Sequence, residues 1–112
     1  MRGDVQKSVQ ELISASPDCD AIFFATEMLA VNGLKRINAL QIKVPDNLAV
    51  VSFDEAEAFE LFYCPITHAR QPLEKMGKVA VNTLMDIINH KKICKRIYLE
   101  SNFHIGKSCG EK

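Results

Sequence analysis

Two short, continuously apolar runs, Ala21-Ile22-Phe23-Phe24-Ala25 and Leu48-Ala49-Val50-Val51-Ser52-Phe53, constrain this chain more than any other feature. Runs of that length suit strands covered on both faces in a parallel sheet. Around them the sequence changes to a helical period. Val5, Val9, Leu12 and Ile13 recur at helical spacing through residues 5–14, until Ser16-Pro17-Asp18 stops the pattern. A second helix over residues 28–40 takes Met28, Val31, Leu34, Ile37 and Ala39 as its apolar contacts and Thr26 as its N-cap. Gly33 inside it costs about 1 kcal/mol relative to Ala in an exposed helix, which points to a close packing contact.

The order so far is αβαβ, and the rest of the chain extends it. After the second run, the acidic and aromatic residues 55–63 form a helix with Ala58, Phe59 and Phe62 on one side. Residues 66–70 give a third extended piece that runs into Pro72. The longest helix covers residues 73–89, with Met76, Val79, Ala80, Leu84, Ile87 and Ile88 inward. Residues 96–105 then alternate as a last strand carrying Ile97, Leu99, Phe103 and Ile105. Strands alternating with helices specify an α/β fold with a parallel sheet flanked by helices. The Gln71-Pro72 step separates two packing environments and is the natural hinge.

Composition narrows the function. The 112 residues balance 14 Lys and Arg against 14 Asp and Glu, so no overall positive field exists to hold a nucleic-acid backbone. Cys19, Cys64, Cys94 and Cys109 are scattered without metal-ligand spacing, which argues against a zinc site or a disulfide framework and for reduced thiols in a cytoplasmic protein. The first residues lack the apolar core of a signal peptide, and no run is long enough to span a membrane. The glycines form neither of the usual phosphate cradles, so no nucleotide or other cofactor is expected. Lys91-Lys92 and Lys95-Arg96 follow a helix, where positive charge is favourable. His68 has no nucleophile elbow nearby and reads as a packing or surface residue, so no enzyme activity is expected.

In an open parallel sheet, ligands bind beyond the carboxyl ends of the strands. The first strand delivers Thr26 and Glu27 there, and the second delivers Asp54 and Glu55. These carboxylates suit the adjacent hydroxyls of a sugar or ribose, through charge-assisted hydrogen bonds. They equally suit helix N-termini, where the macrodipole favours negative charge. The Phe59, Phe62 and Tyr63 cluster fits either a core or a contact between subunits. A strand-end aspartate also serves hydrolases, so a small α/β hydrolase using Asp54 stays open.

Several segments in order resemble LacI/GalR-type bacterial transcription regulators: Pro17-Asp18-Cys19-Asp20-Ala21-Ile22-Phe23-Phe24-Ala25, Val44-Pro45-Asp46-Asn47-Leu48-Ala49-Val50-Val51-Ser52-Phe53-Asp54-Glu55, and Pro65-Ile66-Thr67-His68-Ala69-Arg70-Gln71-Pro72 with Met76-Gly77. Ser108-Cys109-Gly110 matches the usual ending, so the resemblance covers nearly the whole chain. It implies the C-terminal part of a periplasmic-binding-protein-like effector core. Residues 1–71 would belong to the C-terminal subdomain, residues 72–90 to a crossover helix of the N-terminal subdomain, and residues 91–112 to a returning strand and tail.

The resemblance further implies a small-molecule effector of the carbohydrate kind, bound by Asp54 with Thr26 and Glu27. Asp54 stands on the family's aromatic-Asp position, whereas Thr26-Glu27 replaces the frequent Asn-Asp. A homodimer would pack through Val31, Phe59 and Phe62, and operator DNA would be read by a headpiece absent from this chain, with no membrane partner. A periplasmic sugar-binding protein shares the fold and is the alternative.

Overall fold

The computed structural model describes residues 2–15, 18–92 and 96–110. The Ser16-Pro17 stop, Cys94 and Lys95 lie outside the described residues. The chain divides into two compact units, residues 1–70 with 103–112, and residues 71–102.

The first unit begins with α1 (Arg2–Ala15), β1 (Ala21–Phe24), α2 (Glu27–Ala39) and β2 (Ala49–Phe53). A short 3-10 helix (Glu57–Leu61) and β3 (Thr67–Arg70) follow. With β4 (Asn102–His104), the strands stand in the order β1-β2-β3-β4. β1 and β2 run parallel with Ile22 opposite Val50, and β2 and β3 run parallel with Ser52 opposite His68. The α/β class with a parallel sheet is therefore as expected.

Helix α2 starts where the sequence places its cap. The Thr26 backbone is extended, and its hydroxyl accepts the Leu29 N–H at 3.2 Å, satisfying one of the amides that a helix start leaves unpaired. Ala30, Leu34 and Ile37 then enter a core with Val9, Ile22, Phe24, Val44, Leu48, Val50, Phe59 and Ile66. Gly33 is buried against Phe24, and a Cβ built there would lie 2.3 Å from the ring. The glycine lets helix and strand approach, and that contact outweighs its low helix propensity. Arg36 donates to Gln10 on α1, tying the two helices at their polar edge.

Ser108 stitches the strand starts together. Its hydroxyl donates to the Val50 carbonyl and accepts the Thr67 N–H at 2.8 Å, while its own carbonyl accepts the Val50 N–H at 2.8 Å. Gly106 sits so close to Pro65 that a Cβ would come within 2.4 Å of the Pro65 oxygen. Lys107 and Ser108 both donate backbone N–H groups to that oxygen.

Several expectations need correction. The strands are not covered on both faces: β1 alternates, with Ile22 and Phe24 buried but Phe23 64% exposed. A continuous apolar run carries no information on how many faces a sheet hides. Leu12 of α1 is likewise exposed, as are Met28 and Ala39, read as apolar contacts of α2. Residues 55–63 do not make a full helix: only Glu57–Leu61 close i to i+3 hydrogen bonds, with Phe59 buried, Phe62 half-buried and Ala58 exposed. The last strand contracts to Asn102–His104, all exposed, leaving Ile97, Leu99 and Ile105 outside it.

The second unit carries α3 (Leu73–Ile88). No side chain of α3 is buried: Met76, Leu84, Ile87 and Ile88, read as inward, are exposed, as is Ala80, and Val79 is half-exposed. Among the described residues 71–102, α3 has no second helix of its own unit to pack against, so its apolar side stays open to solvent. No helix among the described residues is long and apolar enough to cross a membrane.

Candidate functional site

The carboxyl ends of β1 and β2 bring Thr26, Glu27 and Asp54 to one open depression of about 730 Å³, which Met28, Val31, Asn32, Lys35 and Ala58 complete. Three residues that sequence reasoning linked only through a topological rule thus share a surface. Thr26 already spends its hydroxyl on the α2 cap, whereas Glu27 stands in the first turn, where its charge complements the helix dipole.

Asp54 occupies a backbone conformation that few residues other than glycine adopt, with φ at +80°. Holding a non-glycine residue in a sparsely populated conformation costs about 1–3 kcal/mol, so its surroundings must fix it. They do so from both sides. The Asp54 N–H donates to the Ala69 carbonyl on β3 at 2.7 Å. The hydroxyl of fully buried Ser52 donates within hydrogen-bond reach of both the Phe53 and Asp54 carbonyls, at 3.1 Å each. Asp54 is not the cap of the 3-10 helix, whose N-cap is Ala56 with no side-chain hydrogen bond.

Glu55 reaches back to β3, with Oε2 3.2 Å from Nε2 of His68 and Oε1 3.9 Å from Nε of Arg70. His68 is buried, as a packing histidine should be, between the Phe59 and His104 rings at centroid distances of 5.9 and 5.0 Å.

Two features escaped sequence reasoning. Asn32, on the buried side of α2, donates from Nδ2 to the Met28 carbonyl at 2.9 Å and leaves Oδ1 with no partner among the described residues. A polar residue in a helical apolar stripe was the available signal. The other is Leu61, which joins the expected Val31, Phe59 and Phe62 in a groove of about 200 Å³. Within it Phe59 is 8% exposed and belongs to the core, while Leu61 is 90% exposed. Burial also pushes the Cys64 thiol above its ordinary range, with Lys107 opposing the shift. No cluster of His, Cys, Asp and Glu among the described residues is arranged to hold a metal ion.

The periplasmic binding protein-like domain model matches residues 2–109. The chain belongs to that family. Its relatives are transcription regulators: it is 30% identical to the HTH-type transcriptional regulator CelR of Thermobifida fusca over 102 residues, which is 90% of this chain and 30% of CelR. It is 30% identical to the HTH-type transcriptional repressor MelR of Bacillus subtilis over 91 residues, 81% of this chain and 26% of MelR. Among solved structures, a complex of the transcriptional regulator CelR with cellobiose superposes with a TM-score of 0.83 at 28% identity, covering 96% of this chain and 33% of that one. A LacI family transcriptional regulator from Bifidobacterium animalis gives a TM-score of 0.88 at 16% identity, covering 98% of this chain and 41% of that one, and so supports the fold. The family domain here is thus the effector-binding kind found in LacI-type regulators, and this chain spans less than a third of the length of the curated relatives named.

Proposed function

We propose that this chain forms one wall of the effector pocket of a LacI-type transcription regulator, and that the effector is a sugar or similar small polar molecule held by Asp54 with Thr26 and Glu27. The observation that carries the reading is the pinned Asp54 corner, which costs backbone strain and opens on the same depression as Thr26 and Glu27. The CelR complex with cellobiose supports a carbohydrate. In this reading residues 1–71 belong to one subdomain, residues 72–90 cross to the other and residues 91–112 return, in keeping with the uncovered apolar side of α3. A homodimer packs through the groove that holds Val31, Phe59 and Phe62, and operator DNA is read by a headpiece outside this chain.

Effector binding acts by favouring one conformation of the parent protein over another, and its differential affinity sets the change in operator binding. Calorimetry of the full-length protein against cellobiose and a panel of mono- and disaccharides tests the site. One sugar is expected to bind, and Asp54→Ala to weaken it at least about tenfold, the loss of a charged hydrogen-bond acceptor. An unchanged affinity in Asp54→Ala removes Asp54 from the pocket.

A further inference from the structure

The two ring nitrogens of His68 face two acceptors. Nδ1 lies 2.9 Å from the Ile66 carbonyl oxygen, and Nε2 lies 3.2 Å from Oε2 of Glu55. A carbonyl only accepts, and so does an ionised carboxylate, whereas a neutral imidazole carries a single N–H. Either neutral tautomer therefore points one lone pair at another inside a largely buried site. The imidazolium satisfies both partners at once.

The two contacts are not equally able to give way. Ile66 is buried and immediately precedes β3, whereas Glu55 is half-exposed and sits in the loop after β2. Loss of a proton from the pair therefore releases Glu55 and leaves the Ile66 contact in place. Glu55 immediately follows Asp54, whose backbone is held to β3 through Ala69, the neighbour of His68. From these contacts we infer that His68 is a positioning residue: with both ring nitrogens protonated it ties Glu55 to β3, holds the Asp54 corner in shape, and makes that corner sensitive to pH.

The charged surroundings bear on both protonation states. Glu57 and Glu60 from the 3-10 helix line the same depression as Glu55 and His68, together with Tyr63, and favour a cation there. His104 on β4 and Arg70 on β3 oppose it, the first through its ring beside His68 and the second by sharing Glu55. Histidine is the side chain that ordinarily changes charge between about pH 5 and 8. As pH rises and the ring loses its second proton, Glu55 loses its donor and the corner loses one of its ties.

The consequence for effector binding rests on the proposed role of Asp54, but the coupling can be read without any ligand. The full-length protein, labelled with 15N in His, Asp and Glu, is titrated from pH 5 to 8 as wild type, Glu55→Gln and His68→Gln. Long-range spectra report the His68 ring and amide spectra report Asp54 and Glu55. The wild-type Asp54 and Glu55 amides are expected to move through the same transition as the His68 ring. In Glu55→Gln that movement is lost, because the amide side chain accepts from the imidazolium and donates to the neutral ring. Glu55 is half-exposed, so this variant keeps the fold, and the dispersion of the same spectrum verifies it. Stationary Asp54 and Glu55 amides while the wild-type ring titrates, or unaltered movement in Glu55→Gln, overturn the inference. Calorimetry on Asp54→Ala separates the two claims: a failure there sinks the pocket and leaves the proton coupling standing.

Discussion

Helices α2 and α3 have similar sequence credentials and opposite fates. Both are amphipathic and both hold one glycine. Yet α2 buries Ala30, Asn32, Gly33, Leu34 and Ile37, whereas α3 buries nothing. The difference lies in their neighbours. α2 has β1, β2 and α1 within its own unit, so its apolar side meets Ile22, Phe24 and Val50. Among the described residues, α3's unit offers it no such surface. An apolar stripe specifies which side of a helix seeks cover, and it leaves open where the cover comes from.

Substitutions can break this contrast. The largest effect is expected for Ile37→Ala, which empties a fully buried site and costs about 2–5 kcal/mol in urea titrations of the chain. Leu84→Ala on α3, where the side chain is 56% exposed, is expected to stay within about 0.5 kcal/mol. Equal losses at the two positions would erase the distinction. In the full-length protein the Leu84 value should rise if α3 is covered there by another subdomain.

The two glycines sharpen the same point with opposite signs. Gly33→Ala forces a methyl into the buried Phe24 ring and is expected to destabilise by about 1–3 kcal/mol. Gly77→Ala meets nothing within 4 Å and replaces a poor helix former by the best, so it stabilises α3 by about 0.5–1 kcal/mol. Far-UV circular dichroism during thermal unfolding reads both.

A smaller effect separates the packed unit from its own surface. Cys64 is buried and Cys109 exposed, so a thiol reagent should modify Cys109 first. Because burial raises the Cys64 thiol in the folded state, the unfolded chain gives up that proton first as pH rises. Its contribution to stability is therefore complete below about pH 8.5 and declines above it. Denaturation midpoints at pH 8 and pH 10 should show the decline, and Cys64→Ser should lessen it.

The parallel α/β order, the Thr26 cap and the tight Gly33 contact were legible because each rests on local chemistry: a period, a hydroxyl, a missing Cβ. The one-sided cover of β1 was not, since Phe23 and Phe24 are identical in composition and differ only in which face finds a helix. The last strand misled because alternation at Ile97 and Leu99 says nothing about whether an adjacent edge is within reach. At the site, residue type and strand-end position singled out Asp54. The left-handed backbone that turns it, the Ser52 hydroxyl beneath it and the two-sided grip on His68 depend on segments far apart in sequence. The solitary Asn32 acceptor depends likewise on which side of α2 meets the core.

The central claim is that the Asp54 corner contacts the effector. A crystal structure of the full-length protein, grown with the sugar that binds in calorimetry, tests it most directly. The account predicts a ligand hydroxyl within about 2.5–3.0 Å of an Asp54 carboxylate oxygen, with Thr26 and Glu27 beside it. A sugar bound with Asp54 out of contact would contradict it.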